Sequence, residues 1–231
     1  TFEGLAGRGI DRNQAAALMR RSVELAREAA GSGRVVAASV GPYGAMLGNG
    51  AEYTGDYDKD EDQLVEFHVP RIEALAEAEP DVLAVETIPS FVEARALVRA
   101  LEKVPEIPAW VSFSCRDGRH ICDGTPIGSA VEVVASAPGV VAVGVNCTSP
   151  LYVERLVATI SDTTGKNIVC YPNRGSFWDP MRKTWTDPPR QDARPPLRPL
   201  AWKEAGASLI GGCCGTTPDD IAAAARALGR T

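Results

Sequence analysis

Basic excess, long apolar runs, histidine and disulfide-level cysteine are what these 231 residues lack. Lysine and arginine total 24 against 30 acidic residues, a formal net charge of -6, and no basic run breaks that balance. That balance argues against a nucleic-acid surface. No apolar stretch reaches the ~18 residues that span a bilayer. The two histidines, His68 and His120, leave little material for general-base hydrolysis. His68 falls within a helical stretch and His120 in a charged loop, and both read as surface or packing residues. Six cysteines are too few for a disulfide scaffold at this length, which points to a reducing cytoplasm with thiols kept for metal or chemistry. Glycine-rich dinucleotide motifs, internal repeats and low-complexity tracts are also missing.

What is present is an ordinary globular composition, 45% hydrophobic and 23% charged, enough for one sizeable core. Short apolar runs at 34–40, 82–85, 109–113, 140–145, 167–171 and 208–211 read as six strands. They are continuous rather than alternating, so both faces are buried. Helical stretches lie around them: Asp11 to Ala30, 62–79, 91–101, 127–137, 151–160 and 219–228. Pro70 must kink the second of these or begin it. Strand and helix in alternation give an α/β fold with a parallel sheet, and residues 1–231 read as a single domain. The segment 172–199 breaks the rhythm with seven prolines and two tryptophans, and reads as a long functional or solvated loop.

The chemistry gathers at two strand ends. Gly211-Gly212-Cys213-Cys214-Gly215-Thr216-Thr217-Pro218 places adjacent cysteines in a glycine turn before a helix capped by Thr217. Adjacent residues on a strand point to opposite faces, so the pair can share a ligand only where the backbone bends. Cys147, in Gly144-Val145-Asn146-Cys147-Thr148, ends another strand two strands away. In a parallel barrel alternate strands contribute to one layer, so the three can converge at the C-terminal face. Three soft sulfurs suit Zn²⁺ with a fourth position open to substrate. Thiolates around the metal damp its action on water, and the arrangement suits a substrate thiol held as thiolate. Cys115, Cys122 and Cys170 read as small buried hydrophobes. A redox pair formed by Cys213 and Cys214 is the rival reading, and a non-catalytic zinc-binding barrel remnant is the second.

These motifs resemble the homocysteine S-methyltransferase family. The resemblance rests on Thr1-Phe2-Glu3-Gly4, Ser39-Val40-Gly41-Pro42-Tyr43-Gly44, Glu86-Thr87-Ile88-Pro89, Ser112-Phe113-Ser114-Cys115, Gly124-Thr125-Pro126, Tyr171-Pro172-Asn173 and the two cysteine motifs. It implies a (β/α)8 barrel of the TIM type, Zn²⁺ held by Cys147, Cys213 and Cys214, and homocysteine as the acceptor. It further implies that Glu86 binds the homocysteine ammonium, with Asn146 and Ser39 as further substrate-site residues. The methyl donor it suggests is a sulfonium, S-methylmethionine or S-adenosylmethionine. Two departures stand out. An Asp-Gly-Gly first strand and the strand after it are not seen, so the barrel is expected to be N-terminally incomplete, about 60 residues short. Arg174 stands where relatives more often carry a small residue.

Overall fold

Valine, alanine and isoleucine runs that can bury both faces become the centre of the molecule. The computed structural model describes residues 1–175, 177–179, 182, 184–186 and 195–230. Its main sheet holds β1 (Ala37–Val40), β2 (Val82–Ile88), β3 (Ala109–Phe113), β4 (Val140–Asn146), β5 (Asn167–Tyr171) and β8 (Leu209–Ile210). All neighbours pair in parallel, in the order β1-β2-β3-β4-β5-β8. A doubly wound sheet would reverse its order at a switch point. This one steps in a single direction, with helices between strands, which is the winding of a (β/α)8-type barrel over six strands.

The connecting helices are α2 (Arg12–Ala30), α4 (Glu61–Ala76), α5 (Phe91–Leu101), α6 (Ile127–Ala135), α7 (Pro150–Thr163) and α9 (Pro218–Ala227). Asp11 and Asp60 cap α2 and α4 through reciprocal boxes with Gln14 and Gln63. Leu97, Ile127, Val131, Leu156 and Ile160 are fully buried against Leu83, Val111, Val143 and Val145 of the sheet. Each such side chain stabilises by roughly 1.5–3 kcal/mol, so the strands are fixed from their outer face while their C-terminal ends stay free for chemistry.

Pro70 does not begin a helix. It lies inside α4, whose buried residues Leu64, Phe67 and His68 precede it and Arg71, Ile72 and Leu75 follow it. Packing on both sides of the proline outweighs the one hydrogen bond it cannot donate. Three short helices were not legible from periodicity: α1 (Phe2–Ala6), α3 (Tyr43–Leu47) and α8 (Pro199–Glu204). Within 172–199, β6 (Phe177–Asp179) and β7 (Thr184–Thr186) form an antiparallel hairpin, so part of that segment is ordered as strand. The remainder of the loop reading, at 176, 180–181, 183 and 187–194, lies outside the described residues.

Candidate metal centre

Cys147 follows β4 directly and adopts a left-handed backbone, φ 47°. Its amide donates to the Tyr171 carbonyl at the end of β5. Beyond β8, the Cys213 amide donates to the Pro172 carbonyl at 2.9 Å, and the Arg174 amide donates to the Cys214 carbonyl at 2.8 Å. The cysteine turn is thus laced to the end of β5, and β5 is itself paired with β4. Thr217 then caps α9, with Pro218 in its first turn and Asp220 returning a bond to the cap. The helix start leaves unpaired N–H groups near the turn, a field that favours thiolate.

The result is three sulfurs in contact. Cys147 Sγ lies 3.2 Å from Cys213 Sγ and 3.5 Å from Cys214 Sγ, and the last two are 3.9 Å apart. A disulfide would need ~2.05 Å, and all six cysteines are free thiols. Four ligands ~2.3 Å from a tetrahedral zinc stand ~3.8 Å from one another. The observed distances of 3.2, 3.5 and 3.9 Å lie on either side of that value, the shortest about 0.6 Å below it, so small side-chain adjustments let the donor set fit a soft tetrahedral ion. Among the described residues these three form the one grouping of histidine, cysteine and acidic side chains able to hold a metal. Cys147 is buried, and Cys213 and Cys214 are half-exposed.

Without a metal the three thiols share protons. Hydrogen bonds to Cys213 and Cys214, with burial, push Cys147 far up, whereas bonds from Cys147 and Cys213 hold Cys214 well below the usual thiol range. Tyr53, at the end of a short 3-10 turn (Ala51–Tyr53), brings its hydroxyl to 3.5 Å from Cys147 Sγ. Burial first, then the neighbouring thiol charge, keep that phenol protonated. A phenol that keeps its proton can donate to Cys147 once that sulfur is a thiolate, as a metal ligand would be.

Glu86 sits half-buried near the end of β2. Its Oε1 accepts from Ser39 Oγ at 2.5 Å and its Oε2 from Tyr171 Oη at 2.9 Å. Tyr171 also accepts from Trp110 Nε1 at 3.0 Å. Four strands, β1, β2, β3 and β5, thus orient one carboxylate. Asn146 is buried and its side-chain amide is spent within the protein, on Thr87 and Ser112. Tyr53, Tyr171, Thr87 and Ser112 were not singled out from the sequence for these roles. Only their chemistry-bearing neighbours, Glu86, Asn146 and the cysteines, carried a signal.

The remaining candidates behave as packing. Cys115, Cys122 and Cys170 are buried, and burial pushes Cys122 up to about 11 and Cys170 to about 12. His68 is fully buried beside Glu93 and Arg71 rather than at the surface. His120 is half-buried against Asp117. Arg174 turns away from the sulfurs, with its Nε on Asp220 at 3.0 Å and Nη1 on the Pro195 carbonyl at 2.8 Å.

Comparison with known proteins gives a consistent set of matches. The family model described as homocysteine S-methyltransferase matches residues 1–228. The homocysteine S-methyltransferase YbgG of Bacillus subtilis is 43% identical over 246 residues, covering 100% of this chain and 78% of that protein. The homocysteine S-methyltransferase of Escherichia coli is 44% identical, covering 96% of this chain and 75% of that protein. The crystal structure of the metallated form of the E. coli homocysteine methyltransferase MmuM superposes with a TM-score of 0.84 at 41% identity. That match covers 98% of this chain and 76% of that one.

Proposed function

Since the chain belongs to the homocysteine S-methyltransferase family, we propose that it transfers a methyl group to the sulfur of homocysteine, giving methionine. We assign Cys147, Cys213 and Cys214 as the ligands of a Zn²⁺ ion, and S-methylmethionine or S-adenosylmethionine as the donor. The observation that carries the reading is the trio of sulfurs at 3.2–3.9 Å beyond the ends of β4 and β8, the two strands that flank β5. Zinc held there supplies the charge that keeps an acceptor thiol ionised at neutral pH, where a free thiol of pKa ~8.5 is mostly protonated.

The chain's own residues do the rest. Glu86 pairs with the acceptor's ammonium, and Ser39 and Tyr171 hold the carboxylate at a fixed angle to receive it. Fixing both ends of a small amino acid sets its sulfur in line with the donor methyl, the positioning on which a displacement depends. In the transfer, a sulfur lone pair of homocysteine forms the new S–CH₃ bond. The bond from methyl to the donor's sulfonium breaks, and its electron pair neutralises that sulfur. No protein group gives or takes a proton in this step. With Cys147 a metal-bound thiolate, the protonated Tyr53 hydroxyl at 3.5 Å is placed to donate to it, which offsets part of the negative charge of the thiolate set.

A redox pair is disfavoured by the same distances: Cys213 and Cys214 each lie nearer to Cys147 than to one another. No helix among the described residues is long and apolar enough to cross a membrane. We place the protein in the cytoplasm, a reading supported by six free thiols. The test is a methyl-donor panel with homocysteine, scored as methionine, with metal content measured on the same sample. Cys147→Ser should lose both metal and turnover while keeping its circular dichroism. Undiminished methionine formation after chelation and metal-free dialysis would sink the zinc assignment. No product with any donor would sink the activity.

A further inference from the structure

The sheet register breaks at one place next to the site. Val85 faces Val111 and Ile88 faces Phe113, so three steps along β2 meet two along β3. The surplus residue is a bulge over Glu86 and Thr87. Bulges bend a strand and re-aim a side chain, and here the re-aimed side chain is the Glu86 carboxylate.

Thr87 completes the bulge at φ 63°. For a β-branched residue this left-handed conformation is an outlier that the surroundings must enforce. The enforcement is visible. Asn146, 1% exposed at the end of β4, reaches across β3 to Thr87. Its Oδ1 accepts from the Thr87 amide at 2.7 Å and its Nδ2 donates to Thr87 Oγ1, also at 2.7 Å. Ser112 Oγ on β3 donates to the same Oδ1 at 2.8 Å, which fixes the amide's orientation. The next residue after Asn146 is Cys147, the other left-handed residue at the site.

We propose that Asn146 is a positioning residue. It clamps Thr87 in its left-handed conformation, holds the bulge, and so sets the aim of Glu86 relative to the sulfur cluster that begins at Cys147. Asn146 acts through Thr87 and does not touch the acceptor itself. The inference rests on the reading of Glu86 as partner of the homocysteine ammonium.

The test uses glycine, which adopts φ near +60° without strain. If the clamp exists to enforce that angle, Thr87→Gly makes it dispensable. In metal-loaded protein without donor, homocysteine affinity is measured by calorimetry. Asn146→Ala should weaken binding about tenfold or more, equivalent to ~1.4 kcal/mol, with metal stoichiometry unchanged. Thr87→Gly alone should stay within about threefold of wild type, and the double variant should match Thr87→Gly rather than Asn146→Ala. A general packing role for Asn146 would give no such rescue. Amide exchange at Thr87 supplies a readout independent of substrate. Protection should vanish in Asn146→Ala and persist in Asn146→Asp, which keeps the acceptor oxygen and is the variant to use if alanine does not fold. Unchanged affinity in Asn146→Ala, a double variant no better than it, or equally fast exchange in Asn146→Asp and Asn146→Ala would overturn the clamp. Wild-type protein that binds no homocysteine would overturn the function instead, and the exchange comparison would still decide the clamp.

Discussion

One methyl group added at Gly144 should pry the sheet apart beneath the sulfurs. Gly144 lies on β4 between Ser112 of β3 and Val169 of β5. A Cβ there would overlap the Val169 carbonyl oxygen, with the carbonyl carbon 2.7 Å away and Val169 Cγ1 2.9 Å away. The first two are backbone atoms, so no rotamer change relieves them and β5 itself must shift. Overpacking of this kind costs about 1–3 kcal/mol. Parting a few of the β4–β5 ladder bonds adds about 1 kcal/mol for each bond lost. A total of roughly 3–5 kcal/mol is a large share of the ~5–15 kcal/mol that holds a typical domain together. At this chain length it corresponds to a melting-point drop of roughly 6–20 °C. The damage also has a direction. Cys147 follows β4, while Cys213 and Cys214 are tied to the end of β5 and to β8, so the wedge separates one ligand from the other two. Gly144→Ala should therefore fall in both urea midpoint and metal stoichiometry. A variant within about 0.5 kcal/mol of the parent, the range of neutral surface changes, and fully metal-loaded would refute the reasoning.

Three further outcomes are expected. In metal-stripped protein at pH 8, iodoacetamide should modify the half-exposed Cys214 first, since its neighbouring thiols hold it low, and mass spectrometry should find Cys170 and Cys122 untouched, because burial pushes them up to about 12 and about 11; comparable labelling of Cys170 would contradict the packing of β5. Glu86→Gln should raise the homocysteine KM roughly 10- to 100-fold, the loss of a charged hydrogen bond of about 1.5–3 kcal/mol, with metal retained, and Ser39→Ala should act in the same direction more weakly. His68 is held neutral by burial, its pKa lowered, and it donates from Nε2 to Glu93 because Arg71 can only donate to its Nδ1. The stability that goes with the neutral ring is fully present above the unfolded value of about 6.5 and is lost as pH falls below it. Urea midpoints should thus decline from pH 7 to 5.5 and flatten in His68→Gln, whereas a midpoint rising on acidification would count against the neutral tautomer.

The strands were legible because their apolar runs are near-continuous, and all six appear with ends shifted by at most a few residues, β1 shortened to Ala37–Val40. The cysteine trio was legible for a different reason, since two thiols in a glycine turn have few uses. Glu86 stood out through family resemblance. What surrounds these residues did not stand out. Tyr53 reaches Cys147 from a short 3-10 turn with no periodicity, and its proximity is a product of long-range packing. The Thr87 bulge is a register offset between two strands, a property of their pairing that neither strand's sequence displays alone. His68 read as a surface or packing residue, and it is packing: what the sequence did not display is its pairing with Arg71 on α4 and Glu93 on α5, which only the packed helices bring together.

Cys147 and Cys213, the first two of the proposed ligands, are 66 residues apart in the chain. On a ribosome adding ~5–20 residues per second, Cys147 is made roughly 3–13 s before Cys213. During that interval β4 can already be folding around a solitary thiol in a left-handed kink, with no partner able to retain an ion. The pair that completes the trio emerges only later, in the turn that follows the two-residue strand β8. On the proposed ligand assignment, metal acquisition therefore cannot precede synthesis of the Cys213–Cys214 turn. On the same assignment, a chain released just before β8 would carry most of the buried core with only one of the three thiols of the trio.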